Sequence, residues 1–76
     1  MLIGVPKEIK ALENRVGLTP ASVREVIANN HHVVVETNAG HAIGFDDADY
    51  SAAGATIARS AADIFAKAEM IVKVKE

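Results

Sequence analysis

The chain has 76 residues, a net charge of −2 and a pI of about 5.9. This length predicts one small domain or part of a larger one. The charge balance and the lack of a dense basic face argue against nucleic acid as a partner. The sequence has no signal-peptide pattern and no apolar run near the roughly 20 residues that cross a bilayer. We therefore expect a cytoplasmic protein that does not bind membranes.

The hydrophobic residues are mainly Ala, Val and Ile, with one Tyr, two Phe, no Trp and no Cys. Chains of this length bury only about 60% of the surface that they expose when unfolded. An alanine-rich core adds little buried area per residue, and no disulfide supports it. We expect the isolated chain to be marginally stable.

The chain opens with a short apolar strand. Residues 2–5 are apolar and end at Pro6, which cannot donate to a ladder, so they predict a buried strand. Residues 7–17 are polar and predict a loop.

A helix and the clearest strand follow. Thr19 followed by Pro20 predicts a helix start, since a hydroxyl caps the helix and proline suits its first position. Asn29 and Asn30 are the expected stop. Residues 32–36 contain a continuous β-branched run, Val33 to Val35, which predicts a strand buried on both faces, as in a parallel sheet.

The second half of the chain predicts two short helices and two strands after a loop at residues 38–44. Asp46 is expected to cap the first helix, and a short strand is expected at residues 55–57. Ser60 is expected to cap the second helix, with Asp63 completing a capping box. Residues 70–74 predict the last strand.

The order β-α-β-α-β-α-β predicts an α/β fold, a parallel Rossmann-like or flavodoxin-like sheet with right-handed βαβ crossovers. Ligands bind such sheets beyond the carboxyl ends of the strands, so Arg15 and Lys75 are expected at one edge. Because the chain stops at an uncovered strand, residues 1–76 are expected to be the first part of a larger substrate-binding domain.

Arg15 and Lys75 are the candidate site residues. A guanidinium presents a planar fork that matches a carboxylate, and a lysine supplies a point charge. Together they would hold an α-keto or α-amino acid, with Lys75 on a polarised carbonyl oxygen. The alternative from the residues alone is that Arg15 pairs with Glu8 or Glu13 and that Lys75 is solvated.

The histidines do not predict a metal site. His31 and His32 are adjacent, so on a strand they point to opposite faces, and His41 has no Cys or close carboxylate pair beside it. The loop at residues 38–44 contains glycines but lacks the GxGxxG pattern of dinucleotide-binding turns.

Five segments carry a family resemblance: GVPKEIK, ENRVGLTP, VVVETNAGHAIGF, DYSAAGATI and MIVKVKE. In that order they resemble the start of bacterial L-alanine dehydrogenases, over essentially the whole chain. The α subunit of the proton-translocating nicotinamide nucleotide transhydrogenase is similar, but it typically lacks the second lysine of KVKE. Lys75 therefore favours the alanine dehydrogenases.

The resemblance implies reversible conversion of L-alanine, water and NAD to pyruvate, ammonium and NADH. Arg15 matches the carboxylate-binding arginine, and Lys75 matches a substrate-binding and catalytic lysine. NAD would be bound by a domain not present in this chain, and the full enzyme is expected to be a homo-oligomer. These 76 residues alone are expected to be inactive. Two departures are Gly17, where alanine is common, and the pair His31-His32.

Two alternatives remain open at this point. The first is the N-terminal part of the transhydrogenase α subunit. The second belongs to another class, a non-catalytic interaction module whose exposed last strand recruits another chain by strand addition.

Overall fold

The computed structural model describes residues 1–7 and 17–72, and these form a sheet with helices on both faces. The strands are β1 (Leu2–Val5), β2 (His32–Glu36), β3 (Thr56–Ala58) and β4 (Met70–Ile71). The helices are α1 (Pro20–Ala28), α2 (Asp47–Ala52) and α3 (Ala61–Lys67), with a 3₁₀ turn at His41–Ile43.

The strands lie in the order β3-β2-β1-β4, and every neighbouring pair is parallel. This confirms the predicted α/β class. The order is that of the first part of a Rossmann sheet rather than that of flavodoxin. β1 is an inner strand: Ile3 pairs with Val33 on one side and with Met70 on the other.

The helices divide between the two faces of the sheet according to the direction of each crossover. α1 and α2 contact each other and cover one face, whereas α3 contacts β1, β2 and β3 from the other. The first two crossovers move outward from β1, and the third returns past it. Crossovers between parallel strands are right-handed. The connection from β3 to β4 runs across the sheet in the opposite direction to the first two, so its helix, α3, lies on the opposite face.

β2 is buried on both faces, as the sequence predicts. Val33 and Val35 join the larger apolar cluster under α1 and α2. Val34 points the other way and packs with Ala58 and Ile64 beneath α3. The alternation follows from the two-residue period of a strand, and it ties both helical layers to one segment.

The predicted caps of α1 and α3 are present. Ser22 N–H donates to Thr19 Oγ1 (3.3 Å), and Pro20 is the first helical residue. Asn30 ends the helix region with a φ of 69°, a left-handed conformation that asparagine tolerates. Asp63 N–H donates to Ser60 Oγ (3.3 Å), which is one half of the predicted capping box.

A reciprocal capping box lies at α2. Asp46 is the capping residue, and its N–H donates to Asp49 Oδ2 (2.9 Å) while its own side chain accepts from the third helical residue. Asp47 and Asp49, the acidic residues in the first turn, also suit the positive end of the helix dipole.

Some boundaries differ from the sequence-based expectation. β3 begins one residue later than predicted, because Ala55 N–H turns back to the Tyr50 carbonyl (3.0 Å) and closes the end of α2. The predicted loop at residues 38–44 contains the 3₁₀ turn. β4 ends at Ile71, before Val72, whereas the sequence predicted a strand to residue 74. Residues 73 and 74 of that prediction, and most of the predicted loop at residues 7–17, lie outside the described residues. No helix among the described residues is long and apolar enough to cross a membrane.

Candidate functional site

The carboxyl ends of β1 and β4 mark the point where the strand order reverses. β2 and β3 are added on one side of β1, whereas β4 is added on the other. In open parallel sheets a crevice forms at such a switch point, beyond the carboxyl ends, and ligands bind there. This edge of the sheet is therefore the candidate site.

Both predicted site residues, Arg15 and Lys75, lie outside the described residues, and their roles stay predictions. The described residues that flank them are nevertheless informative. Lys7 and Gly17 stand on either side of the segment that carries Arg15, and Val72 precedes the segment that carries Lys75.

Gly17 and Val72 are in direct contact. A Cβ built on Gly17 would overlap the Val72 carbonyl oxygen and lie 3.1 Å from Val72 Cγ1. Val72 is itself held to the central strand, because its N–H donates to the Gly4 carbonyl (2.9 Å). The described ends of the two cation-bearing segments thus meet beside β1, at the switch point.

The start of the Arg15 segment is attached to β2. Lys7 N–H donates to Glu36 Oε1 at 2.8 Å. Glu36 is the last residue of β2, and its side chain is partly buried. A carboxylate that accepts from a backbone N–H makes a charge-assisted bond, which is stronger than a neutral one. The chain that leaves β1 is therefore held over the end of the neighbouring strand.

The end of the Arg15 segment is attached to α2. The Tyr50 hydroxyl donates to the Leu18 carbonyl at 2.9 Å. Leu18 is also packed against the larger apolar cluster. The chain is thus held by one polar and one apolar interaction just before α1 begins.

Tyr50 is fully buried, and its ring lies beside Gly40 and Phe45. A Cβ at Gly40 would lie 2.7 Å from the hydroxyl, so only glycine leaves room for the phenol here. Phe45 meets the ring edge-on, with centroids 6.4 Å apart and an interplanar angle of 77°. Burial, and secondly the negative charge of Asp49, raise the pKa of Tyr50 above its ordinary value of 10.0.

The connection from β2 to α2 is also fixed at this edge. Asp47 accepts from the Thr37 hydroxyl (2.5 Å) and from Asn38 N–H (2.8 Å). Asn38 has a φ of 64°, a left-handed conformation that asparagine tolerates. The first turn of α2, the helix that carries Tyr50, is therefore hydrogen-bonded to the residues that follow β2.

An open groove of about 560 Å³ runs between the start of α1 and α2. Its polar lining includes Thr19, Arg24 and Asp49, and Phe45 forms part of its apolar wall. Among the described residues, no three His, Cys, Asp or Glu side chains come together as a metal site.

Residues 4–76 match the family model described as "Alanine dehydrogenase/PNT, N-terminal domain". The chain belongs to this family. Alanine dehydrogenases of Bacillus subtilis and Methanococcus maripaludis are each 53% identical to it over all 76 residues. The chain spans 20% of the length of each of these two relatives.

Two solved structures are similar to this chain in fold and in sequence. A structure titled L-alanine dehydrogenase superposes with a TM-score of 0.96 at 55% identity, covering 100% of this chain and 21% of that one. A transhydrogenase from Sinorhizobium meliloti gives a TM-score of 0.89 at 33% identity, covering 96% of this chain and 21% of that one. Both share the fold, and the identity is higher with the alanine dehydrogenase.

The sequence between β1 and α1 lacks the pattern of a dinucleotide-binding turn. A dinucleotide site needs a glycine-rich turn that leads from the first strand directly into a helix. Here residues 6–19 connect β1 to α1 and contain one glycine, Gly17. Gly17 is already packed against the Val72 backbone, so it leaves no cradle for a pyrophosphate.

The sequence-based reading missed Glu36 and Tyr50. Neither lies near Arg15 along the chain, and their bonds to Lys7 and Leu18 join residues 29 and 32 positions apart. One signal was present: Tyr50 is the only tyrosine, and it lies on a short helix among small residues. A large side chain in that setting predicts an anchor in the core.

Proposed function

We propose that these residues form part of the substrate-binding domain of an L-alanine dehydrogenase. The enzyme would interconvert L-alanine, water and NAD⁺ with pyruvate, ammonium and NADH. Identity of 53% over the whole chain to proteins named alanine dehydrogenase supports this reaction. The single observation that carries the site is the contact between Gly17 and Val72 at the switch point.

Arg15 is the proposed carboxylate-binding residue. It lies two positions before Gly17, which packs at the edge where parallel sheets bind ligands. A guanidinium donates two parallel hydrogen bonds to a carboxylate, which fixes the orientation of the acid as well as its charge. The reacting carbon is then held in a defined position, and such positioning can lower a barrier by about 7–11 kcal/mol.

Lys75 is the proposed partner at the other end of the substrate. It lies three positions after Val72, so its segment starts at the same contact. An ammonium group placed on the pyruvate carbonyl oxygen would withdraw electron density from the carbonyl carbon. The same group would orient the oxygen and nitrogen substituents of that carbon during deamination.

We propose that NAD is bound outside these 76 residues, because their sequence lacks the GxGxxG pattern of a dinucleotide-binding turn. The chemistry that NAD supplies when bound is hydride transfer. The full enzyme is expected to be a homo-oligomer in the bacterial cytoplasm. The 76-residue chain by itself is expected to have no dehydrogenase activity.

Kinetics of the full-length enzyme test the proposal. We expect alanine-dependent NADH formation, and we expect Arg15→Ala to raise the KM for pyruvate at least about tenfold. The matched control is Arg24→Ala, which removes an exposed cation from α1. Equal effects of the two variants would refute the role of Arg15, and NADH formation by the 76-residue chain alone would refute the domain assignment.

The transhydrogenase α subunit is the second candidate, supported by the structural match at a TM-score of 0.89. Its reaction moves a hydride between two nicotinamide nucleotides and needs no amino acid. Hydride transfer to an NADP⁺ analogue without alanine, together with no response to alanine, would favour this candidate.

A further inference from the structure

We propose that one flank of α3 is a docking surface for a helix of the polypeptide that follows these residues in the full-length protein. The surface consists of Phe65 on α3, Ala68 at its end and Ile71 on β4, and we call it the α3–β4 shelf. The inference rests on the proposal that these residues are part of a larger domain. It does not depend on the roles proposed for Arg15 and Lys75.

Phe65 is the largest apolar side chain that the described part of the chain leaves exposed. It is 56% exposed, whereas the preceding residue, Ile64, is fully buried. Aromatic side chains contribute strongly to cores and interfaces because each of them removes a large apolar area from water. An exposed phenylalanine on a short helix is therefore a candidate contact for another part of the protein.

The geometry of α3 turns Phe65 toward β4. Ile64 points into the sheet, and Phe65 follows it by one residue, so it lies about 100° around the helix. Ala68 is three positions after Phe65 and lies on the same flank. A Cβ at Gly4 would lie 2.7 Å from Ala68 Cβ and 3.1 Å from Ile71 Cδ1, so this flank faces the β1–β4 side of the sheet.

The strand beside this flank is incompletely covered. α3 contacts β1, β2 and β3, and Ile71 on β4 is only partly buried, although its side chain lies on the α3 face. Parallel sheets normally have helices over both faces. The shelf therefore has an aromatic side wall, Phe65, and an aliphatic floor, Ile71, which is the shape that a second helix beside α3 would fill.

The direction of the crossovers indicates which helix this is. The connection through α3 runs from β3 past β2 and β1 to β4. A parallel strand added beyond β4 would continue in that direction, and a right-handed crossover would place its helix on the α3 face, over β4. Packed helices have axes about 8–10 Å apart, so this helix would contact the flank that carries Phe65.

The length of the relatives supports the same occupant. This chain spans 20% of the alanine dehydrogenases of Bacillus subtilis and Methanococcus maripaludis. A full-length protein of that size has ample polypeptide after β4 to supply the helix.

Photo-crosslinking in the full-length protein is the main test. Replacing Phe65 by p-benzoylphenylalanine keeps an aromatic side chain at the shelf and captures whatever covers it. We expect a crosslink within one polypeptide that joins position 65 to a segment after residue 76, located by mass spectrometry. The control places the same group at the exposed position of Lys67, on the other flank of α3, where this crosslink should not form.

The other outcomes contradict the inference in distinguishable ways. A crosslink between two copies, seen as a doubled mass on a denaturing gel, would assign the shelf to a subunit interface and overturn the inference. Crosslinks confined to residues 1–76, or no crosslink at all, would also overturn it. A wild-type enzyme without alanine-dependent NADH formation would instead overturn the proposed function and leave the crosslink result standing.

Melting temperatures of full-length variants give an independent measurement. Phe65→Ala should lower the melting temperature by about 4 °C or more, because a docked ring loses its burial and leaves a cavity. Phe65→Leu, which keeps a large apolar side chain, should lower it less. Lys67→Ala, at an exposed position of the same helix, should change it by less than about 1 °C. Equal melting temperatures for Phe65→Ala and Lys67→Ala would show that the ring stays in water and would overturn the inference.

Discussion

Gly17 packs directly against the backbone carbonyl of Val72, although the two residues are 55 positions apart in the sequence. The contact joins the end of the β1–α1 connection to the chain that leaves β4. It exists because β4 pairs with β1 rather than with β3. The end of the β1–α1 connection and the start of the chain after β4 are therefore neighbours in space, although they are remote in sequence.

Gly17→Ala should disturb this contact. The new Cβ would overlap a backbone oxygen, and a backbone carbonyl held next to the central strand cannot rotate away as a flexible side chain can. We expect a loss of about 1–3 kcal/mol in the free energy of unfolding, measured by urea denaturation. Ser51→Ala on the exposed surface of α2 is the control. Equal stability of both variants would show that Val72 moves aside at little cost.

Arg15→Lys in the full-length enzyme should raise the KM for pyruvate at least about tenfold, because a point charge cannot replace the two-pronged contact of a guanidinium. The matched control is Arg24→Lys, the same change at an exposed position of α1. Steady-state kinetics with pyruvate as the varied substrate gives the comparison. A KM that matches the wild type would remove Arg15 from the carboxylate site.

Val34→Ala should destabilise the fold by about 1–3 kcal/mol through lost burial and a residual cavity. Val34 is only 4% exposed and packs against Ile64 and Ala58 under α3. Thr56→Ser, at the exposed register partner on β3, is the control and should change stability by less than about 0.5 kcal/mol. Equal melting temperatures for the wild type and Val34→Ala would exclude Val34 from the core.

The ionisation of Tyr50 should be shifted to high pH. Burial raises its pKa above 10.0, so the folded state favours the neutral hydroxyl. The stabilisation is fully present below the unfolded pKa, near 10, and is lost as pH rises through the folded pKa. The chain has one Tyr and no Trp, so the ultraviolet absorbance of tyrosinate reports this residue alone.

The control for the titration is the same measurement in denaturing urea, where the midpoint should fall to the ordinary value. A folded-state midpoint at or below the unfolded one would contradict the buried, hydrogen-bonded position of Tyr50. It would also weaken the argument that its hydroxyl holds Leu18.

Local chemistry made the helix starts and the central strand predictable. The hydroxyl of Thr19 followed by Pro20 defines α1, and the β-branched run of β2 defines its burial on both faces. The strand order was not predictable in the same way, because the pairing of β4 with β1 depends on crossover direction. The anchors Glu36 and Tyr50 were missed for a related reason, since each binds a backbone group about 30 positions away.

The inner position of β1 has a consequence for the growing polypeptide. β1 is made before the other three described strands, yet its pairing partner on one side begins at Met70. While the ribosome makes the intervening residues, that side of β1 has unsatisfied backbone groups, which are able to pair with other extended chains. Closing so long a loop is entropically costly, so this pairing should be among the last steps of folding.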